Sequence, residues 1–134
     1  MKKKGILNSH LSMVIASLGH TDQMVIGDAG LPLPRDAEIV DLAVIENIPR
    51  FIDVLKAVLE ELVVEKAVLA TEIESINHGV LDEIKKLLNG VELQFVPHAE
   101  FKRLYRESDS TVFVRTGEST PYANIILVSG VNFS

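Results

Sequence analysis

The stretch Met24-Val25-Ile26-Gly27-Asp28-Ala29-Gly30-Leu31-Pro32-Leu33-Pro34 changes character at its middle. Its opening is a short apolar run that suits a strand at Met24 to Gly27. Ala29-Gly30 and the two prolines can continue neither a helix nor a strand ladder, so an ordered loop comes next. Asp28 falls just past the strand. Open α/β sheets bind ligands beyond the carboxyl ends of their strands, which makes this junction a candidate site.

The same alternation extends outward. Before the strand, Leu11, Val14, Ile15 and Leu18 form one apolar helical stripe, with Asn8 as its cap and Gly19 as its expected stop. After the loop, Ile39 to Val44 reads as a second strand. Pro49 suits the first turn of a helix to about Val63, with Ile52, Leu55, Leu59 and Leu62 on its buried face. Lys66 to Thr71 is a third strand. A helix from about Ser75 to Leu88 comes after it, closed by Asn89-Gly90. Val91 to Val96 is a fourth strand, Ala99 to Arg106 a short helix, and Thr111 to Arg115 and Asn124 to Ser129 the last two strands. Strands alternating with helices predict an α/β fold: one domain over residues 1–134, with a mostly parallel or mixed six-stranded sheet and helices on both faces.

Composition agrees. The chain has 134 residues, 47% of them apolar, with no tryptophan and 5% aromatics, so its core is aliphatic. The net charge of −6 disfavours binding to phosphate backbones, so no nucleic-acid partner is expected. Lys2-Lys3-Lys4 is the one basic cluster and reads as a solvated start. The polar residues Asn8-Ser9-His10 leave no continuous apolar stretch after it, so neither a signal peptide nor a membrane span is expected. The absence of cysteine excludes disulfides, thiolate nucleophiles and zinc–thiolate sites, and fits a reducing compartment.

The polar residues at element ends are the candidates for chemistry. Histidines at 10, 20, 78 and 98 match no compact metal-ligand spacing, so no metal is expected. His20, in Gly19-His20-Thr21-Asp22, is either a polar turn residue or a group that exchanges protons near neutral pH. Asp28 either closes an Asx-turn or accepts hydrogen bonds and protons from a ligand, and both roles are compatible. His98 and Lys102 are four apart and share a helical face, where two positive charges would repel and keep His98 neutral. Pro121 forces Thr120 away from helix, so Tyr122 and Asn124 sit at the mouth of the last strand. Two-residue alternation would point them to one side, as a hydroxyl-binding phenol and amide or as an edge cap, with Glu118 in either role. His78 reads as a surface residue.

Four segments together resemble the D-ribose pyranase / L-fucose mutarotase family. They are Leu18-Gly19-His20-Thr21-Asp22, Val25 through Pro34, His98-Ala99-Glu100-Phe101-Lys102, and Gly117-Glu118-Ser119-Thr120-Pro121-Tyr122-Ala123-Asn124-Ile125-Ile126-Leu127. They occur in family order over essentially the whole chain. Gly30-Leu31 after Asp28-Ala29 favours the ribose branch. The resemblance implies that His20 is the catalytic proton donor and that Asp28, His98, Tyr122 and Asn124 contact the sugar, with Lys102 a further contact. It also implies a ring-shaped homo-oligomer, a decamer, with sites at subunit boundaries.

The implied reaction interconverts the pyranose and furanose forms of D-ribose in the cytoplasm. Ring opening and closure need acid–base help and no cofactor, because neither redox nor carbon–carbon chemistry occurs. Asp28 would then orient His20 or act as a base. The competing readings are a non-catalytic ribose-binding or regulatory module, an L-fucose mutarotase, and an assembly subunit with no site.

Overall fold

The computed structural model describes residues 1–133. Its strands are β1 Gln23–Gly27, β2 Glu38–Asp41, β3 Val64–Ala70, β4 Glu92–Val96, β5 Thr111–Arg115 and β6 Ile125–Ser129. Its helices are α1 Ser9–Ser17, α2 Phe51–Leu59, α3 Ile73–Ile76, α4 His78–Leu87 and α5 His98–Arg106. The strands form one sheet in the order β2-β5-β1-β6-β3-β4. β1 is parallel to β5, β5 to β2, and β3 to β4, while β6 is antiparallel to both β1 and β3. Five strands therefore run one way and β6 the other. This is the expected mixed sheet.

Alternation along β1 explains how both faces are covered. Met24 and Ile26 face a cluster built with Leu11, Val14 and Ile15 of α1, Phe51, Val54 and Leu55 of α2, and Leu81 and Ile84 of α4. Val25 faces the other way, where Phe101 and Tyr105 of α5, together with Leu31, cover Val68, Phe113 and Ile126. Helices pack on both faces, as expected, although the second face has only α5 and the loop after β1.

Several boundaries differ from the sequence reading. The Asn8 cap forms, its side chain accepting the Leu11 N–H at 2.9 Å, but α1 stops at Ser17 because Leu18 is already extended. Gly19 is not the left-handed stop; Thr21 takes the positive φ, at 71°. The second strand ends at Asp41, because its one neighbour, β5, ends opposite at Arg115. Pro49 lies ahead of α2 rather than in its first turn, and the helix begins where the Glu118 carboxylate accepts the Phe51 N–H at 3.1 Å. The helix expected from Ser75 to Leu88 is broken at Asn77 (φ −142°), whose side-chain amide is drawn to Thr120 Oγ1 and the Pro121 carbonyl, both at 2.9 Å. The last strand starts at Ile125, where its pairing with Ile26 begins, and Tyr122 just before it is left-handed, with a φ of 61°.

Candidate functional site

The reversal of β6 brings chain ends together at one edge of the sheet. The carboxyl ends of β1, β3, β4 and β5 arrive there, and so does the start of β6. Ile26 pairs with Ile125, so the residues just after β1 and those just before β6 are neighbours. Asp28, 96 positions before Asn124, donates its backbone N–H to the Asn124 Oδ1 at 2.8 Å. A hollow of about 320 Å³ opens here, lined by Asp28, Gly30, His98, Thr120, Tyr122 and Asn124 among others. It lies where a sheet of this class is expected to bind a ligand.

The loop after β1 is fixed from several sides. The Asp28 Oδ1 accepts the Gly30 N–H at 2.9 Å, the Asx-turn that the sequence suggested. The Ala29 N–H donates to the Glu118 carbonyl at 2.9 Å, Arg115 Nε donates to the Ala29 carbonyl at 3.1 Å, and the Tyr105 hydroxyl donates to the Pro32 carbonyl. Burial pushes the Asp28 carboxyl above its ordinary range, and hydrogen bonds from Gly30, Asn124 and Leu31 partly offset this.

His98 opens α5 beside Asp28. Its ring meets that of Tyr122 edge to face, with centroids 5.1 Å apart, and stacks on Phe101 at 6.1 Å. Burial pushes the imidazole below its ordinary pKa of 6.5, Lys102 adds in the same direction, and Glu72 and Asp28 oppose both. The Lys102 effect is the one its spacing from His98 predicts. Lys102 itself does not line the hollow and reaches the site through its charge.

Tyr122 and Asn124 both reach the hollow, but not by strand alternation. The left-handed turn at Tyr122 places its ring there, while Asn124 is 1% exposed and ties the two loops together.

His20 lies elsewhere. It precedes β1 at the opposite edge of the sheet, and the five residues of β1 span about 17 Å at roughly 3.3 Å each. There His20 Nε2 is 3.0 Å from Glu65 Oε2, and its side chain is 53% exposed. It borders a separate hollow with Leu18, Glu61, Val63, Ser129 and Phe133. An orienting contact between Asp28 and His20 within one chain is therefore ruled out by distance. A larger hollow of about 470 Å³, beside Asp36, Glu38, Arg106 and Asp109, contains none of the expected site residues.

Two further residues support the site: Glu118, which the sequence reading left without a firm role, and Glu72, which it did not single out. Glu118 is 3% exposed; its carboxylate accepts from the Phe51 N–H and from the Thr120 hydroxyl at 2.7 Å, with Arg50 Nη1 at 3.4 Å. Glu72 accepts the His98 N–H at 3.0 Å and so caps α5, a role that Pro97 cannot fill. No local pattern signals Glu72, because its partner is 26 residues away. Among the described residues no group of histidines and carboxylates is arranged to hold a metal ion, and no helix is long and apolar enough to cross a membrane.

The model of the RbsD / FucU transport protein family matches residues 1–132. The chain belongs to this family. It is 53% identical to the D-ribose pyranase of Geobacillus thermodenitrificans over the full length of both chains. It is 50% identical to that of Lactobacillus gasseri, over 99% of this chain and all of the relative. The structure of Bacillus subtilis RbsD complexed with D-ribose superposes with a TM-score of 0.92 at 44% identity, covering 99% of this chain and 100% of the other. A fucose mutarotase from Streptococcus pneumoniae in complex with L-fucose shares the fold, with a TM-score of 0.80 at 18% identity over 95% of each chain.

Proposed function

We propose that this protein is a D-ribose pyranase, a cofactor-independent isomerase that interconverts the pyranose and furanose forms of D-ribose. One observation carries the reading: Asp28, His98, Tyr122 and Asn124, from three separate segments, line a single hollow at the carboxyl edge of the sheet. The ribose branch is favoured by identities near half with curated D-ribose pyranases, against 18% with the fucose mutarotase.

The chemistry is acid–base catalysis. A base takes the anomeric hydroxyl proton while an acid protonates the ring oxygen, and the ring opens to an aldehyde. The chain rotates, a different hydroxyl attacks the carbonyl, and the proton roles reverse. Asp28, Tyr122 and Asn124 hold hydroxyls while the ring is open, and Lys102 contributes charge at the rim. His20 is the proton donor. Each acid or base contributes roughly 10²–10⁴-fold, which suffices for a reaction that also proceeds slowly in water.

His20 can serve this site only from another copy. The functional enzyme is accordingly a homo-oligomer, a ring in which the His20 edge of one subunit meets the Asp28 edge of the next. A head-to-tail contact of this kind forms a ring where its rotation closes, and a decamer is the expected assembly. Exposed apolar side chains at both edges support it: Val63 and Phe133 are near His20, and Val44, Ile45 and Ile48 are beside the loop that holds Gly117. The protein acts in the cytoplasm, where a free pentose becomes available after uptake.

Magnetisation-exchange NMR on ribose tests the reading. Wild type is expected to speed pyranose–furanose exchange, and His20→Ala to lose about 10²-fold or more of that acceleration. An unchanged rate in His20→Ala would sink the assignment of His20. Affinity for ribose without any acceleration would instead favour a binding module.

A further inference from the structure

We propose that His98 acts as a neutral hydrogen-bond donor of fixed tautomer, presenting an Nε2–H to a sugar oxygen, and that it takes no part as a proton-accepting base. The proposal rests on the reading of the hollow as a sugar site and specifies how one of its residues acts.

The geometry of the ring carries it. His98 Nδ1 is sealed from solvent, and no protein group among the described residues lies within hydrogen-bonding reach of it. His98 lines the hollow, and with Nδ1 sealed, Nε2 is the ring nitrogen left to meet a ligand there. An imidazolium carries protons on both nitrogens, and here one would be buried without an acceptor. The neutral tautomer with its proton on Nδ1 has the same defect. The neutral tautomer with its proton on Nε2 has neither, because a bare ring nitrogen costs less to bury than an unsatisfied donor. His98 is therefore left with one comfortable state.

The surroundings act in the same direction. His98 stands at the first turn of the nine-residue helix α5, whose positive end disfavours a second positive charge. The Tyr122 ring packs edge-on against it and Phe101 lies alongside. The charged groups that face it are Lys102 on its own helix, Asp28 after β1 and Glu72 before α3. The two carboxylates favour the cation, although Glu72 makes its hydrogen bonds to the His98 backbone N–H rather than to the ring. Burial and Lys102 outweigh them, and the imidazole titrates below its ordinary 6.5. A neutral N–H donor polarises a carbonyl or steadies an alkoxide without giving up its proton. Proton transfer then falls to His20 from another copy and to Asp28.

Two-bond proton–nitrogen correlation spectra of the assembled protein, with ¹⁵N-labelled histidine, read the tautomer directly. The His98 ring is expected to carry its proton on Nε2 alone through the neutral range. A proton on Nδ1, or an imidazolium at neutral pH, would overturn the proposal. Ribose exchange supplies a second readout. His98→Gln restores an N–H donor of similar reach but cannot act as a base. It is expected to stay within about tenfold of wild type, with the loss mainly in KM, whereas His98→Ala loses more. If the glutamine and alanine variants both lose about 10²-fold or more in kcat, His98 is a base and the assignment fails. A wild type that does not accelerate ribose exchange would remove the proposed function, and the tautomer spectrum would still decide the state of His98.

Discussion

Asp28 shows how a residue of the proposed site can act against the stability of its own fold. Its carboxyl is pushed up by burial, so the folded protein holds that proton more tightly than the unfolded chain does. Ionisation of Asp28 therefore costs stability as the pH rises through the carboxylate range, and at low pH the cost is absent. Asp28→Asn keeps an Oδ1 to accept from Gly30 and removes the charge. At neutral pH it is expected to melt no lower than wild type, with a Tm advantage that shrinks as the pH is lowered toward about 4 and is absent below it. The same variant should lose at least about tenfold in ribose exchange. Thermal melts over a pH series, beside the NMR assay, check both halves. A variant that melts well below wild type at neutral pH would show the carboxylate to be a structural necessity.

The elements around the site depend on a few close approaches. A Cβ on Gly117 would lie 2.6 Å from the Ile45 carbonyl oxygen and 2.8 Å from the Ile48 backbone, so the 116–120 segment can pass the 45–48 turn only with glycine there. Gly117→Ala is expected to cost about 1–3 kcal/mol in chemical denaturation. It should also weaken ribose binding, because Glu118 and Thr120 come directly after it. Glu118→Ala leaves the buried Phe51 N–H without its acceptor and should cost about 1–3 kcal/mol. A Glu118→Ala protein as stable as wild type would mean that α2 finds another cap. Each of these positions joins segments that are far apart in sequence: Glu118 accepts from a residue 67 positions earlier. Local patterning therefore placed the elements but missed where some of them begin. Asn77 is the clearest case, since its breaking of the expected long helix results from two hydrogen bonds to a loop more than 40 residues away.

At the scale of the whole molecule, the arrangement of edges decides how many chains the proposed site needs. His20 and Asp28 are eight residues apart in sequence and at opposite edges of the sheet in space. Two inactive variants should then complement each other. If His20→Ala and Asp28→Asn subunits are mixed under conditions that let them exchange, activity should return toward about a quarter of wild type, since a random mixture gives that share of sites with both native halves. Ribose-exchange NMR before and after mixing checks it, with light scattering to confirm assembly. A mixture no more active than its parents, in subunits shown to exchange, would put both groups in one chain's site and contradict their separation across the sheet.

The sequence by itself determined the elements, their order and the chemistry available. Apolar periodicity marked six strands and the helices between them, except for the break at Asn77, and the run from Met24 to Pro34 announced a strand that ends in a carboxylate and a rigid loop. It also contained every polar residue that lines the hollow, because the loop ends that carry them are marked by Gly, Pro and Asn. Only the tertiary structure decided which of these residues meet. Reversal of β6 between two parallel strands sets Asn124 against Asp28, and the left-handed turn at Tyr122 swings its ring onto His98. The same sheet holds His20 away, because a strand is a rigid spacer and the residues at its two ends cannot share a pocket.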